Sequence, residues 1–176
     1  DYIYFIDKEF SFKEVNCEIN EYPYSEEVIK KNLIDISKEN YSFKLKDENL
    51  KNVPNSTLAE YFVNLYFAHK NNINPNNFPK YSRTKLQYGT LFPMLHAPGK
   101  GPDMYLINGN KLTTIETTIH KSANQVIKSE VFSIISHVEL NEVSFLSKEE
   151  KSKLKSTEII LVTPIKNEKD IWYIKN

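Results

Sequence analysis

The sequence predicts an α/β fold, a mixed β-sheet flanked by helices with an N-terminal extension, and three observations carry that expectation. A nearly all-apolar helical pattern occupies residues 57–69. Two short β-rich runs, DMYLI and KLTTIETTI, are joined by the turn NGN. A second helical pattern over 122–138 is followed by the apolar run TEIILVTPI. Helix, strands, helix, strand is the order expected of helices layered on a sheet.

Taken along the chain, Asp1 to Val15 alternates aromatic and charged residues and fits a strand pair or an irregular arm. Ser25, followed by Glu26 and Glu27, has the hydroxyl cap and acidic first turn of a helix start, and the helix should run to about Glu39. Residues 40–55 are polar and read as a connection. Asn55 or Ser56 caps the next helix, whose Leu58, Tyr61, Phe62, Leu65 and Ala68 recur at helical spacing. Its remaining faces are apolar too, so it should be central. The run NNINPNNFPKYS is read as loop, and LQYGTLFPML as strand-like segments broken by Gly89 and Pro93. HAPGKGP is a tight loop leading into the hairpin. In the second helical pattern Ala123, Val126, Ile127, Val131, Ile134 and Ile135 form the apolar stripe. TEIILVTPI reads as a buried strand, and IWYI near the end as one more.

Bulk properties narrow the function. The 176 residues carry 23 basic and 23 acidic side chains, a formal net charge of +0. Binding to nucleic acid is mostly phosphate neutralisation, so this domain alone should hold DNA weakly and without useful sequence preference. A separate recognition domain or subunit would supply the affinity. Cys17 is the one cysteine; it excludes an internal disulfide, fits a small buried side chain, and favours an intracellular, cytoplasmic setting. No run approaches the roughly 20 apolar residues of a membrane span, and no signal peptide opens the chain. The first residue is Asp1 rather than Met, which fits a piece of a longer protein. Arg83 is the sole arginine among many lysines, a bias read as compositional.

The chemistry concentrates in GPDMYLINGNKLTTIETTI. Asp103 opens one strand and Glu116 lies inside the next, 13 residues later. A hairpin would bring the two together at one end of the sheet. A carboxylate within a β-run is costly unless compensated. A hard divalent cation, typically Mg²⁺, compensates two converging carboxylates, polarises a phosphate oxygen and acidifies water. The same residues also fit a plainer arrangement, with Asp103 capping a turn and Glu116 facing solvent or a lysine.

Pro102-Asp103 with Glu116 on the following strand resembles the PD-(D/E)xK nuclease superfamily. The segment FPMLHAPGKGPDMYLINGNKLTTIETTIHKSANQVIKSEVFSIISHV is similar to the catalytic region of AlwI-type restriction endonucleases, which include type IIS enzymes and nicking relatives. The matching positions are His96 to Gly99, Asp103, Ile115 to Thr118, Gln125, Ser129-Glu130 and His137, with Leu58, Glu60 and Tyr61 upstream. The likeness spans about residues 54–165, and residues 1–50 have no counterpart. It implies a restriction-endonuclease-like core and a metal-dependent, site-specific type II deoxyribonuclease, type IIS-like, acting on double-stranded DNA in a bacterial cytoplasm. Mg²⁺, with Mn²⁺ as substitute, is the implied cofactor, and a transient dimer would serve double-strand cutting. The superfamily's lysine two residues after the strand Glu is Thr118 here, as AlwI-type enzymes tend to have it. Lys121 and Lys128 are the substitutes at hand, and both also fit solvated surface positions.

The resulting assignment has residues 1–50 as an N-terminal arm or the end of a linker and 51–176 as the catalytic domain. Asp103, Glu116, Thr118 and Glu130 are the candidate catalytic residues. Asp103, Glu116 and Glu60 are the candidate metal ligands, Glu60 because a carboxylate in an apolar helix needs a partner. His96, Gly99, Lys100 and Lys121 are candidate DNA contacts. His120 shares strand spacing with Glu116 and Thr118 and also fits a structural role; Gln125 sits a turn from Glu130. Two other classes fit the same residues: a non-catalytic nuclease-like domain that binds DNA or a partner chain, and a metal-dependent hydrolase of RNA or another phosphoester.

Overall fold

A computed structural model describes residues 18–99, 101–137 and 145–165. The arm or strand pair of Asp1 to Val15, Cys17, Lys100, the end of the second long helix at Val138 and the IWYI run lie outside the described residues. Helix α1 spans Glu26–Ser37 and α2 Ser42–Lys46; α3 spans Asn55–Lys70 and α4 Phe78–Tyr81. Strands β1 (Lys85–Leu86) and β2 (Pro93–Leu95) form an antiparallel pair. Strands β3 (Met104–Asn108), β4 (Lys111–Thr117) and β5 (Ser156–Val162) form a second sheet in the order β3-β4-β5. Helices α5 (Ala123–Ser129), α6 (Val131–Ser136) and α7 (Lys148–Lys153) lie between β4 and β5 in the chain. The fold is mixed α/β with helices flanking the sheet, as the sequence predicts.

Helix α3 is the centre of packing. Leu58, Tyr61, Phe62 and Leu65 are fully buried, because α1 covers one side of α3 and β2 and β4 approach it from another. Ile29 and Ile36 of α1 and Leu50 join the same core, so residues 26–50 pack as part of the domain. Ser25 caps α1 by accepting from the Val28 N–H. Pro54, rather than Asn55 or Ser56, occupies the cap of α3, and Asn55 is already helical. Proline's fixed φ suits this entry, and no side-chain cap is made.

The hairpin forms as expected. β3 and β4 run antiparallel from Met104 opposite Ile115 to Asn108 opposite Lys111, and Gly109 makes the turn with φ +60°. That left-handed value is cheap only without a Cβ. β5 pairs in parallel with β4, Ser156 beside Lys111 and Val162 beside Thr117. Met104 and Ile115 face the α3 core, while Tyr105 and Leu112 meet Leu146 and Leu154 on the other side. A strand's period of two puts Leu112, Thr114 and Glu116 on one face.

The run expected as a buried strand is β5, whose residues Ser156 to Ile159 are exposed and Ile160 to Val162 half-buried, because β5 is the last strand in the order β3-β4-β5. Further expectations are corrected. The run 71–82 is not plain loop, because Pro75–Asn77 forms a 3₁₀ turn, capped by the Asn74 side chain, that leads directly into α4. Phe78, fully buried in the α3 core, anchors it. The helical pattern from 122 is two helices divided at Glu130, whose φ is −116°. Each part answers a different contact: α5 buries Ala123 and Val126 with Ile165, and α6 ends at His137, which reaches Glu116. The polar stretch after 144 holds α7, started by a reciprocal capping box between Ser147 and Glu150.

Truncating a side chain at the centre of α3 tests this packing. Leu65→Ala removes methyl groups from a site with 0% exposure and should lower unfolding free energy by about 2–5 kcal/mol in a urea titration.

Candidate active site

Register brings the two strand acids together. Continuing the β3–β4 ladder one step beyond Met104 and Ile115 sets Asp103 opposite Glu116. Directly opposed residues have Cβ atoms about 4.5–5.5 Å apart. The Thr117 N–H donates to Asp103 Oδ2 at 2.8 Å.

Helix α3 holds the start of β3 in place. Asn64 Nδ2 donates to the Asp103 carbonyl (3.1 Å), Ser82 Oγ (3.0 Å) and Thr84 Oγ1 (3.0 Å). Thr84 Oγ1 donates onward to Glu60 Oε1 at 2.5 Å, and the Ala97 N–H donates to the same oxygen at 2.8 Å. Glu60 therefore anchors the loop that carries His96 and Gly99 while its own carboxyl is 6% exposed. Glu60 and Asn64 are one helical turn apart and share a face.

Electrostatics at this cluster is unfavourable to charge. Burial, then the nearby Glu60 and Glu116 carboxylates, push the Asp103 carboxyl up to about 8, against the lowering effect of the Thr117 N–H. Burial likewise pushes Glu116 up to about 8, with Glu130 and Glu60 adding to it and the Asp103 N–H and Arg83 opposing. Glu60 is also raised by burial, and its Thr84 and Ala97 donors and the charges of His96 and Arg83 work the other way. His137 Nδ1 lies 2.8 Å from Glu116 Oε1. Its pKa is lowered by burial and then by Arg83.

The remaining candidates divide between this cluster and its surroundings. Glu130, at the α5–α6 junction, contacts His120 Nε2 at 3.5 Å and is felt electrostatically by both strand acids. His96 and Gly99 are exposed on the loop tied to Glu60. Thr118 is buried; its N–H donates to the Val162 carbonyl and its Oγ1 accepts from the His120 N–H. Thr118 and Lys121 line a cavity of about 410 Å³ between α1 and the ends of β4 and β5. Neither Asp103, Glu116 nor Glu60 lines that cavity. Lys121 Nζ pairs there with Glu39 at 2.6 Å, Lys128 is exposed on α5, and Gln125 is exposed as well.

The sequence reading passed over Asn64, Ser82, Thr84 and Arg83, and used His137 only as a point of likeness. Arg83 N–H donates to the Asp103 carbonyl at 2.9 Å, and its Nη1 to the Pro102 carbonyl at 3.3 Å. Two signals pointed to these residues: Asn64 is polar within an apolar helix at Glu60 plus four, and Arg83 is the one arginine.

A hard divalent cation suits the donors present. Among the described residues no group of three or more His, Cys, Asp or Glu side chains converges as a ready ligand set. Mg²⁺ commonly uses only one or two carboxylates, with water and substrate phosphate for the rest. Asp103 and Glu116, opposed and mutually repelling, meet that requirement.

A mixed sheet flanked by helices, with acids gathered at one end of its hairpin, is a restriction-endonuclease-like domain. The AlwI restriction endonuclease family matches residues 30–157, more than half of the chain, and the chain belongs to that family. The match begins within α1, upstream of the likeness noted from residue 54. It makes the chain a restriction-type nuclease, for which DNA is the substrate the family implies. Comparison with curated proteins finds no match. Among the described residues no helix is long and apolar enough to cross a membrane.

The raised carboxyl pKa values dictate a pH dependence. A folded-state pKa of about 8, above the ordinary carboxylate value, means the native state holds more protons than the unfolded state. Stability from these groups is complete below about pH 4 and lost as pH rises toward 8. Chemical unfolding in chelator should show that decline. Asp103→Asn and Glu116→Gln should flatten it, and an unchanged profile in both variants would disprove the assignment of the charge conflict to these acids.

Proposed function

We propose that this chain is the cleavage domain of a type IIS-like restriction endonuclease that hydrolyses DNA phosphodiesters with Asp103 and Glu116 as ligands of a divalent cation. The observation that carries the reading is the opposition of two buried carboxyls, each raised to about 8, at the end of one hairpin. A purely structural pair would gain nothing from such repulsion, whereas a cation-binding pair stores it for release on binding. Mg²⁺, or Mn²⁺ in its place, would supply positive charge to the phosphate and a more acidic attacking water.

The chain's own residues then have distinct tasks. Asp103 and Glu116 hold negative charge at a fixed separation, because the Thr117 N–H ties the Asp103 carboxyl to β4 and His137 Nδ1 holds the Glu116 carboxyl. Glu60 acts in support, fixing the His96–Gly99 loop beside the site. His137 orients Glu116 and limits its charge. Glu130, with His120, is a further acid–base pair able to exchange a proton with water. His96 and Gly99, with Lys100 between Gly99 and Gly101, are the proposed DNA-facing loop. Sequence recognition belongs to a further domain or subunit, and a transient dimer would cut both strands, in a bacterial cytoplasm.

The second reading, a nuclease-like domain that binds without cutting, draws on Thr118 at the place of the superfamily lysine. Plasmid cleavage by the full-length protein separates the two. Cleavage should require Mg²⁺ or Mn²⁺, stop in chelator, and be abolished in Asp103→Asn and Glu116→Gln proteins that still melt cooperatively. Folded variants cutting at the wild-type rate would defeat the ligand assignment, and a wild-type protein inert with every divalent ion would favour the binding domain.

A further inference from the structure

We propose that Arg83 is the phosphate-binding cation of this site, supplying the positive charge that Thr118 does not; the proposal rests on the nuclease reading above. A phosphate brought among Glu60, Asp103, Glu116 and Glu130 meets carboxylates on several sides, and a cation from the protein lowers that barrier. The two lysines that sequence offers as substitutes are elsewhere: Lys121 pairs with Glu39, and Lys128 is exposed on α5.

Arg83, between α4 and β1, is bonded to the backbone that leads into β3. Its N–H donates to the Asp103 carbonyl at 2.9 Å and its Nη1 to the Pro102 carbonyl at 3.3 Å, so backbone and guanidinium are both fixed against residues 102–103. The guanidinium carbon lies 5.5 Å from the centroid of the Phe145 ring, a cation–π distance. Gly101 leaves the space it occupies: a Cβ at 101 would fall 1.8 Å from Nη1 and 2.6 Å from Cζ. Asp103, Glu116 and Glu60 are the acids whose charges act on it. Yet among the described residues it enters no ion pair at 4.0 Å or less. A guanidinium has five N–H donors in a planar fork that matches two phosphate oxygens. One is turned to Pro102, which leaves donors for a ligand beside the acids.

The test uses the full-length protein and duplex DNA in Ca²⁺, with affinity measured across a series of salt concentrations. Loss of one phosphate contact should reduce the slope of log affinity against log salt by about 0.9. Arg83→Ala should show that reduction, with affinity at least several-fold weaker. Arg83→Lys should keep the slope, because the charge remains, yet cleave more slowly in a single turnover, because the two-pronged contact is gone. Gly101→Ala, which displaces the guanidinium without removing it, should weaken binding while melting as the wild type does. A wild-type slope in Arg83→Ala overturns the proposal whether or not the wild type cuts. If Arg83→Ala does not fold, Arg83→Lys cutting at the wild-type rate overturns it. A wild type that never cuts, together with the reduced slope in Arg83→Ala, would sink the nuclease reading and leave Arg83 as the phosphate contact.

Discussion

The Asp103 carbonyl is the point on which this site depends. It accepts from Asn64 Nδ2 of α3 and from the Arg83 N–H, so the start of β3 is bolted to the central helix and to the segment before β1. A buried donor left without its acceptor costs about 1–3 kcal/mol, and Asn64 has three acceptors arranged around one amide. Register does the rest. With Met104 set against Ile115, Asp103 has no position except opposite Glu116. A slip of one residue would turn every side chain of β4 to the other face and dissolve the pair.

The same network explains why a carboxylate survives in the apolar helix. Glu60 accepts from Thr84 and from the Ala97 N–H, so its desolvation is offset by two hydrogen bonds while its charge bears on Asp103. Three acids are thereby held in conflict by neutral donors. Arg83 relieves part of that conflict at Glu60 and Glu116. The outcome is a cluster of buried acids whose charge is opposed by desolvation and by one another.

Thr118 and Lys121 lie past the end of the strand that carries Glu116. Both follow Glu116 closely, yet β4 ends at Thr117 and the chain beyond it turns to β5 and α1. Thr118 bonds to Val162 and His120, and Lys121 to Glu39. Arg83, 33 residues before Glu116, instead donates its N–H to the Asp103 carbonyl and its Nη1 to the Pro102 carbonyl.

The sequence by itself determined the main helices, the hairpin and the placement of Asp103 and Glu116 on it. Apolar spacing marked α1 and α3, a glycine turn marked the hairpin, and a carboxylate inside a β-run marked Glu116, because each of these is a local constraint on the chain. What it did not reveal was long-range. The continuous apolar stripe from 122 hid the break at Glu130, since periodicity is blind to what each half must touch. Asn64 and Thr84 drew no attention and Arg83 was read as compositional bias, since a polar side chain takes on its meaning only once its partners, 18 to 39 residues away, are known. Tertiary structure decided which donors would surround which acids, because burial and hydrogen bonding depend on neighbours in space rather than in order.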